Sequence, residues 1–245
     1  CPLAGDLYCG INRPSVNLSK PSHHFPLVKF ISTMTSKLIL AAALICFSQA
    51  IFSQEISEQN LRKHVTYLAS DKLKGRGTGT KEELKAAQYI AKQFKKIGLT
   101  PKGDNNTYFH KFGFKKSADP HGGGIDANTP QTYSQNIAGY IDNGAANTIV
   151  IGAHYDHLGL GHDHNSLDAN PEGKIHNGAD DNASGTSGVI ELARYFSQNG
   201  VKEAHNFLFL CFSGEELGLV GSKKYTEYPT IDLGKVSFMV NMDMI

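Results

Sequence analysis

Thr148-Ile-Val-Ile-Gly-Ala-His-Tyr-Asp-His157 and Asn206-Phe-Leu-Phe-Leu-Cys-Phe-Ser-Gly-Glu-Glu216 decide the fold. Each is a short, nearly uninterrupted apolar run that ends abruptly in histidine or carboxylate. Val236-Ser-Phe-Met-Val-Asn-Met-Asp243 repeats the pattern. Between the first two, Ser184 to Gln198 sets Val189, Leu192, Ala193 and Phe196 on one helical face. Strands apolar on both faces, alternating with helices, predict a sheet covered on both sides. The expected class is therefore α/β, a three-layer α/β/α sandwich with a mixed, mostly parallel sheet.

Working outward, Asn136–Ile141 and Tyr108–Phe114 read as further strands. Leu61, Val65 and Leu68 mark an amphipathic helix. Thr80-Lys-Glu-Glu83 reads as a capping box, with Leu84, Ala87, Ile90, Ala91, Phe94 and Ile97 on the face behind it; Gly98 and Pro101 supply the stop. Lys74-Gly-Arg-Gly-Thr-Gly79 reads as a flexible break and the stretch around Gly122–Gly124 as a loop, neither with the context of a phosphate-binding loop.

The N-terminal part is of another kind. Lys37 followed by the uncharged stretch Leu38–Gln54 predicts a secretory signal peptide over 34–53, too short in its apolar core to span a bilayer. Residues 1–33, which begin with Cys1, are expected to be a non-native or disordered upstream segment, and 54–245 a partial catalytic domain. A secreted or periplasmic location follows, without stable membrane association once the leader is cleaved. The whole sequence has 24 basic and 23 acidic residues; 54–245 alone has 20 and 22. That balance excludes a nucleic-acid binder working through bulk positive charge. Only Cys211 lies in 54–245, so no disulfide can form within it.

The chemistry sits where the apolar strands end. His154 and Asp156 follow the first, Glu215 and Glu216 the second, and Asp243 the third, while Asp180-Asp181-Asn182 opens the intervening helix. Open α/β sheets collect ligands beyond the carboxyl ends of their strands. Imidazole with carboxylates and no thiolate suits a catalytic zinc ion, which keeps a position for water. Adjacent glutamates leaving a strand point in different directions, so one can ligate metal while the other serves as base.

Gly152-Ala-His-Tyr-Asp-His157, Asn177-Gly-Ala-Asp-Asp-Asn-Ala-Ser-Gly185, Ser213-Gly-Glu-Glu-Leu-Gly218 and Asn241-Met-Asp243 together resemble the ordered motifs of the M28 zinc aminopeptidases. The resemblance implies a mixed sheet between helical layers and two zinc ions. It implies that His154 and Asp243 hold one ion, that Asp181 bridges both, that Glu216 binds the other, and that Glu215 is the general base. Asp156 would orient His154, and the Asp181–Asn182 peptide would be cis. The substrates would be the N-termini of peptides or proteins. The family's second zinc also takes a histidine from beyond the Asp243 motif, and the sequence stops at Ile245. The fold is thus expected to be incomplete at its C-terminus, and 54–245 alone to be largely inactive. His157, His162, His164 and His176 read as surface or substrate-rim residues, and Asp163, Asn165 and Asp168 form a weak candidate for calcium. The alternatives are a glutaminyl cyclase, which shares the fold with one zinc, and a non-catalytic binding domain.

Overall fold

The computed structural model describes residues 55–116, 128–162 and 164–245. The upstream segment, the leader, the triple-glycine loop and Asp163 lie outside the described residues. In chain order the elements are α1 (Glu58–Leu68), a 3₁₀ segment (Asp71–Arg76), α2 (Lys81–Ile97), β1 (Thr100–Pro101), β2 (Phe109–Lys115), β3 (Gln131–Ile141), β4 (Thr148–His154), a π turn (Ala179–Ser184), α3 (Gly185–Gln198), β5 (Asn206–Phe212), α4 (Val220–Glu227) and β6 (Val236–Asn241). Among the described residues no helix is long and apolar enough to cross a membrane.

The sheet runs β3–β5–β4–β6, with β2 and β1 both bonded to the outer edge of β3. It is mixed, but β5 and β6 are the strands parallel to β4, while β1–β3, β2–β3 and β3–β5 are antiparallel. The expectation of a mostly parallel sheet is corrected to that extent. The cause is the short connection 142–147, which reverses the chain between β3 and β4 and cannot make a crossover. β5 then enters between those two strands, parallel to one and antiparallel to the other.

β5 shows why a fully apolar strand was needed. Phe207, Phe209 and Cys211 face α1, α2 and α3 in a core with Leu68, Ile90, Phe94, Ile151 and Ile190. Leu208, Leu210 and Phe212 face the other side, with Val150 and Tyr225 of α4. Each large side chain buried this way contributes about 1.5–3 kcal/mol. Helix α4, absent from the sequence reading, supplies the second layer. At β6, Phe238, Met239 and Val240 are about half exposed.

Helix α2 departs instructively from its expected face. Thr80 is its N-cap, its hydroxyl accepting from Glu83 N at 3.2 Å. Its buried row is Glu83, Ala86, Ala87, Ile90, Ala91 and Phe94, and Leu84 is 41% exposed. The helix is turned toward Glu83 because that carboxylate finds partners inside. It accepts from Gly79 N at 2.6 Å, from Ser134 Oγ at 2.7 Å and from Ser213 Oγ.

Candidate metal centre

The parallel strands β4, β5 and β6 end side by side, and their exits form one rim. His154 is the last residue of β4, Glu215 and Glu216 follow β5, and Asp243 follows β6. The π turn brings Asp181 to the same place, and its Asp181–Asn182 peptide is cis. Asn182 is wholly buried, donating from Nδ2 to Met242 O at 3.0 Å and accepting at Oδ1 from Gly185 N at 2.9 Å. It thereby ties the aspartate turn to the strand end that carries Asp243.

His154 is 3% exposed, and its Nε2 lies 3.1 Å from Asp181 Oδ1, 3.5 Å from Asp243 Oδ1 and 3.9 Å from Glu215 Oε2. A tetrahedral zinc with bonds of ~2.0 Å sets its ligand atoms ~3.3 Å apart. The first two distances straddle that value, and the candidate ligand atoms of His154, Asp181 and Asp243 all lie within 4.8 Å of one another, so the three residues suit a zinc ion. Two further groups of metal-capable side chains share members with this one: His154, Glu215 and Glu216, and His157, Asp181 and Glu216. His154, Asp181, Glu215, Glu216 and Asp243 thus lie together at one rim, with Asp156 buried beside His154.

Asp156 is fully buried, and its contacts extend beyond His154. His154 Nδ1 lies closer to the Asp156 main-chain oxygen, at 3.2 Å, than to its carboxylate, at 3.6 Å. The carboxylate accepts instead from Thr78 Oγ1 at 2.7 Å and from Glu215 N at 3.2 Å. It joins the break after α1 to the glutamate turn.

Negative charge dominates the electrostatics. Burial works against a charged His154, but hydrogen bonds to Asp156 and Asp181 and the nearby carboxylate charges outweigh it and push the imidazole up to about 11. Asp181 is held below its ordinary range, first by its hydrogen bond from His154. Glu215 is raised by burial and by the charges of Asp156, Glu216 and Asp243, against the pull of His154. Such a site favours a cation, and ions that displace ligand protons bind there with proton release. Cys211 is fully buried with its thiol pushed up by burial, which keeps it out of metal chemistry.

Sequence reasoning missed Arg76 and misplaced His157. The stretch 74–79 is no flexible break: Arg76 and Thr78 are 0% and 1% exposed. Arg76 donates to four main-chain carbonyls, of Leu68, Tyr155, Asn177 and Gly178, at 2.6 to 2.9 Å. The flanking Gly75 was the available signal. Its φ is +70° and a Cβ there would lie 2.3 Å from His176 O, so the backbone had to pass closely. His157, read from sequence as a rim residue, has 11% of its side chain exposed and places Nδ1 2.6 Å from Glu216 Oε1. Of the weak calcium candidates, Asn165 bonds through Nδ2 to Glu216 O at 2.5 Å and Asp168 pairs with Lys174 at 2.7 Å.

Fold and rim together place a cluster of metal-capable side chains at the strand ends of an α/β sheet. Residues 136–245 match peptidase family M28. Over that part the chain is similar to this family. Leupeptin-inactivating enzyme 1 of Streptomyces exfoliatus is 30% identical over 145 residues, covering 54% of this chain and 30% of that protein. A leucine aminopeptidase precursor from Bacteroides thetaiotaomicron superposes with a TM-score of 0.58 at 17% identity, over 79% of this chain and 64% of its own. The glutaminyl cyclase of the same organism also superposes with a TM-score of 0.58 at 17% identity, over 79% and 63%. These likenesses establish the shared fold. The matches span less than half the length of the curated relatives.

Glu83, behind the rim, yields a pH prediction. Burial and the charge of Asp156 push it up to about 7 from its ordinary 4.5, against the hydrogen bonds from Ser213, Ser134 and Gly79. A carboxyl group that holds its proton more tightly when folded stabilises fully below about 4.5 and loses that contribution as pH rises to about 7. In the chelator-treated protein, Glu83→Gln should therefore flatten the decline of urea-unfolding stability across that window. An unchanged slope in the variant would contradict the assignment.

Proposed function

We infer that the chain is the catalytic part of a zinc-dependent aminopeptidase that hydrolyses N-terminal peptide bonds and works in a secreted or periplasmic setting. The observation that carries the reading is His154 Nε2 facing Asp181, Asp243 and Glu215 at 3.1, 3.5 and 3.9 Å. His154, Asp181 and Asp243 would hold one zinc ion, and Asp181 with Glu216 a second. Zinc bound there would lower the pKa of a water and polarise the substrate carbonyl.

Glu215 is the residue suited to move the proton. Its main-chain N donates to the Asp156 carboxylate, which fixes the turn that carries it, and its raised affinity for a proton brings it closer to the range a general base needs. It would take the proton from the attacking water and return it to the leaving amine. The surplus of carboxylates around the rim suits the free amino group of a peptide N-terminus. A groove of about 350 Å³, with Val150, Leu210, Phe212 and Leu219 in its walls, runs from Glu215 and Asp243 and would receive an apolar side chain. Export rests on the leader-like segment 34–53, and an N-terminus after Ala50 or Ser53 in material recovered outside the cell would support it. Native exported protein starting ahead of Met34 would count against it.

Fold likeness alone does not separate this reading from cyclisation of N-terminal glutamine, since a glutaminyl cyclase superposes as well as a leucine aminopeptidase precursor. The pair Glu215 and Glu216, one free to act as base while the other ligates, favours hydrolysis. Glu215→Gln should lower kcat on an N-terminal leucine substrate by roughly 10²–10⁴-fold with zinc content unchanged. Turnover close to wild type in the variant would remove Glu215 as the base. Cyclisation of N-terminal glutamine without any hydrolysis by the wild type would transfer the site to the alternative.

A further inference from the structure

Glu83 is a buried titratable group that the proposed reaction does not use, and it stands one layer behind the rim. It is 1% exposed, with Ser134 and Ser213 buried beside it. Its Oε2 accepts from Gly79 N at 2.6 Å. Its Oε1 meets both serine hydroxyls, Ser134 Oγ at 2.7 Å and Ser213 Oγ. The two hydroxyl oxygens are in turn 2.6 Å apart. Three oxygens thus make three mutual contacts of hydrogen-bond length. Two serine hydroxyls bring two protons, enough for two of those contacts. A proton on Glu83 Oε1 supplies the third. Each oxygen then donates once and accepts once around a closed ring, while Oε2 keeps the main-chain donor of Gly79. The neutral acid satisfies this cluster more fully than the carboxylate does.

The ring bears on the glutamate turn. Ser213 follows the last residue of β5, and only Gly214, with φ at +70°, separates it from Glu215. A glycine in the left-handed region has no side chain to hold that joint, so its flanks carry the restraint. On one flank Glu215 N donates to Asp156 Oδ1 at 3.2 Å. On the other, Ser213 N donates to Asn136 Oδ1 at 3.1 Å and Ser213 Oγ enters the ring. Ser134 on β3 and Glu83 on α2 thereby pin the start of the turn from 79 and 130 residues away. The titratable groups around Glu83 are Asp156 and Tyr155, just past β4, and Lys111 of β2, Tyr133 of β3 and Lys81 of its own helix, which line a shallow groove with it. Burial and the charge of Asp156 both favour the protonated form.

We propose that Glu83, as a neutral acid, is a positioning residue for the hydrolysis: its proton closes the ring with Ser134 and Ser213 that fixes the turn carrying Glu215. This rests on the reading of Glu215 as general base. Glu83 acts through Ser213 and hydrogen-bonds to no residue assigned to the metal.

The test compares zinc-loaded wild type, Glu83→Gln, Glu83→Ala and Ser134→Ala on an N-terminal leucine substrate. Glutamine has the shape of the neutral acid and can donate to the serines, but it has no proton to lose. At about pH 6, Glu83→Gln should keep kcat within about threefold of wild type, while Glu83→Ala lowers it by roughly 10–100-fold with KM and zinc content unchanged. Between about pH 6 and pH 8 the kcat of Glu83→Gln should rise severalfold relative to wild type, because only the wild type ionises there. Ser134→Ala opens the ring without touching the turn. It should lower kcat severalfold, and it serves in place of Glu83→Ala if that variant does not fold. Infrared spectra give a readout separate from turnover: at about pH 6 the wild type should show a buried protonated-carboxyl band that Glu83→Gln lacks. Wild-type kcat in the alanine variants, equal impairment of Glu83→Gln and Glu83→Ala, a ratio that does not change with pH, or no such band would each overturn the proposal. A wild type that binds zinc but hydrolyses nothing would instead sink the aminopeptidase reading, and the infrared band would still decide whether the ring forms.

Discussion

The guanidinium of Arg76 is the interaction on which the site depends. It is fully buried, and it draws together the carbonyls of Leu68 at the end of α1, Tyr155 just past β4, and Asn177 and Gly178 at the entry to the π turn. A buried charge costs several kcal/mol unless its hydrogen bonds are satisfied. Here carbonyl dipoles and the charges of Asp156, Asp181 and Glu216 offset that cost. Burial lowers the guanidinium to about 10, which still leaves it charged at neutral pH. The segments carrying His154 and Asp181 are thereby fixed to one another before any ion arrives. Burial of Phe209 and its neighbours holds the sheet, but the register of the loops at its edge comes from this cation.

Around that clamp the carboxylates form a connected set. Asp156 links Thr78 to the main chain of Glu215, and Glu83 links Gly79 to Ser134 and Ser213 one layer further in. The segment 74–79 thus touches the loop after β4, the entry to the π turn and the glutamate turn from behind. The concentration of acid groups raises the proton affinities of His154 and Glu215 together. One is thereby readied to exchange its proton for a metal, and the other to accept a proton from water. Both follow from the same physical cause, several negative charges withdrawn from solvent at the ends of parallel strands.

How much of this could be read beforehand depended on range. β4, β5 and β6 were recognisable because each is an apolar run cut off by a charged or metal-binding residue; His154, Glu215, Glu216 and Asp243 stood at those cuts, and Asp181 at the start of the intervening helix. The inward turn of Glu83 was hidden because its partners, Ser134 and Ser213, lie far along the chain, so the helical pattern pointed to Leu84 instead. Arg76 among glycines carried no periodic signal, since its meaning lies in carbonyls contributed by three distant segments. His157 looked like a surface histidine in a polar loop until Gly178 and Glu216 were placed beside it. Antiparallel pairing of β3 followed from a short connection whose consequence depended on where β5 would insert.

The central claim is that these residues make a preformed metal centre organised around Asp181. A zinc-edge anomalous difference map from a crystal of the zinc-loaded chain tests it most directly. A peak is expected about 2.0–2.2 Å from His154 Nε2 and from carboxylate oxygens of Asp181 and Asp243, with Arg76 still on its four carbonyls. Zinc bound elsewhere, or at this rim without His154 and Asp181 among its ligands, would contradict it.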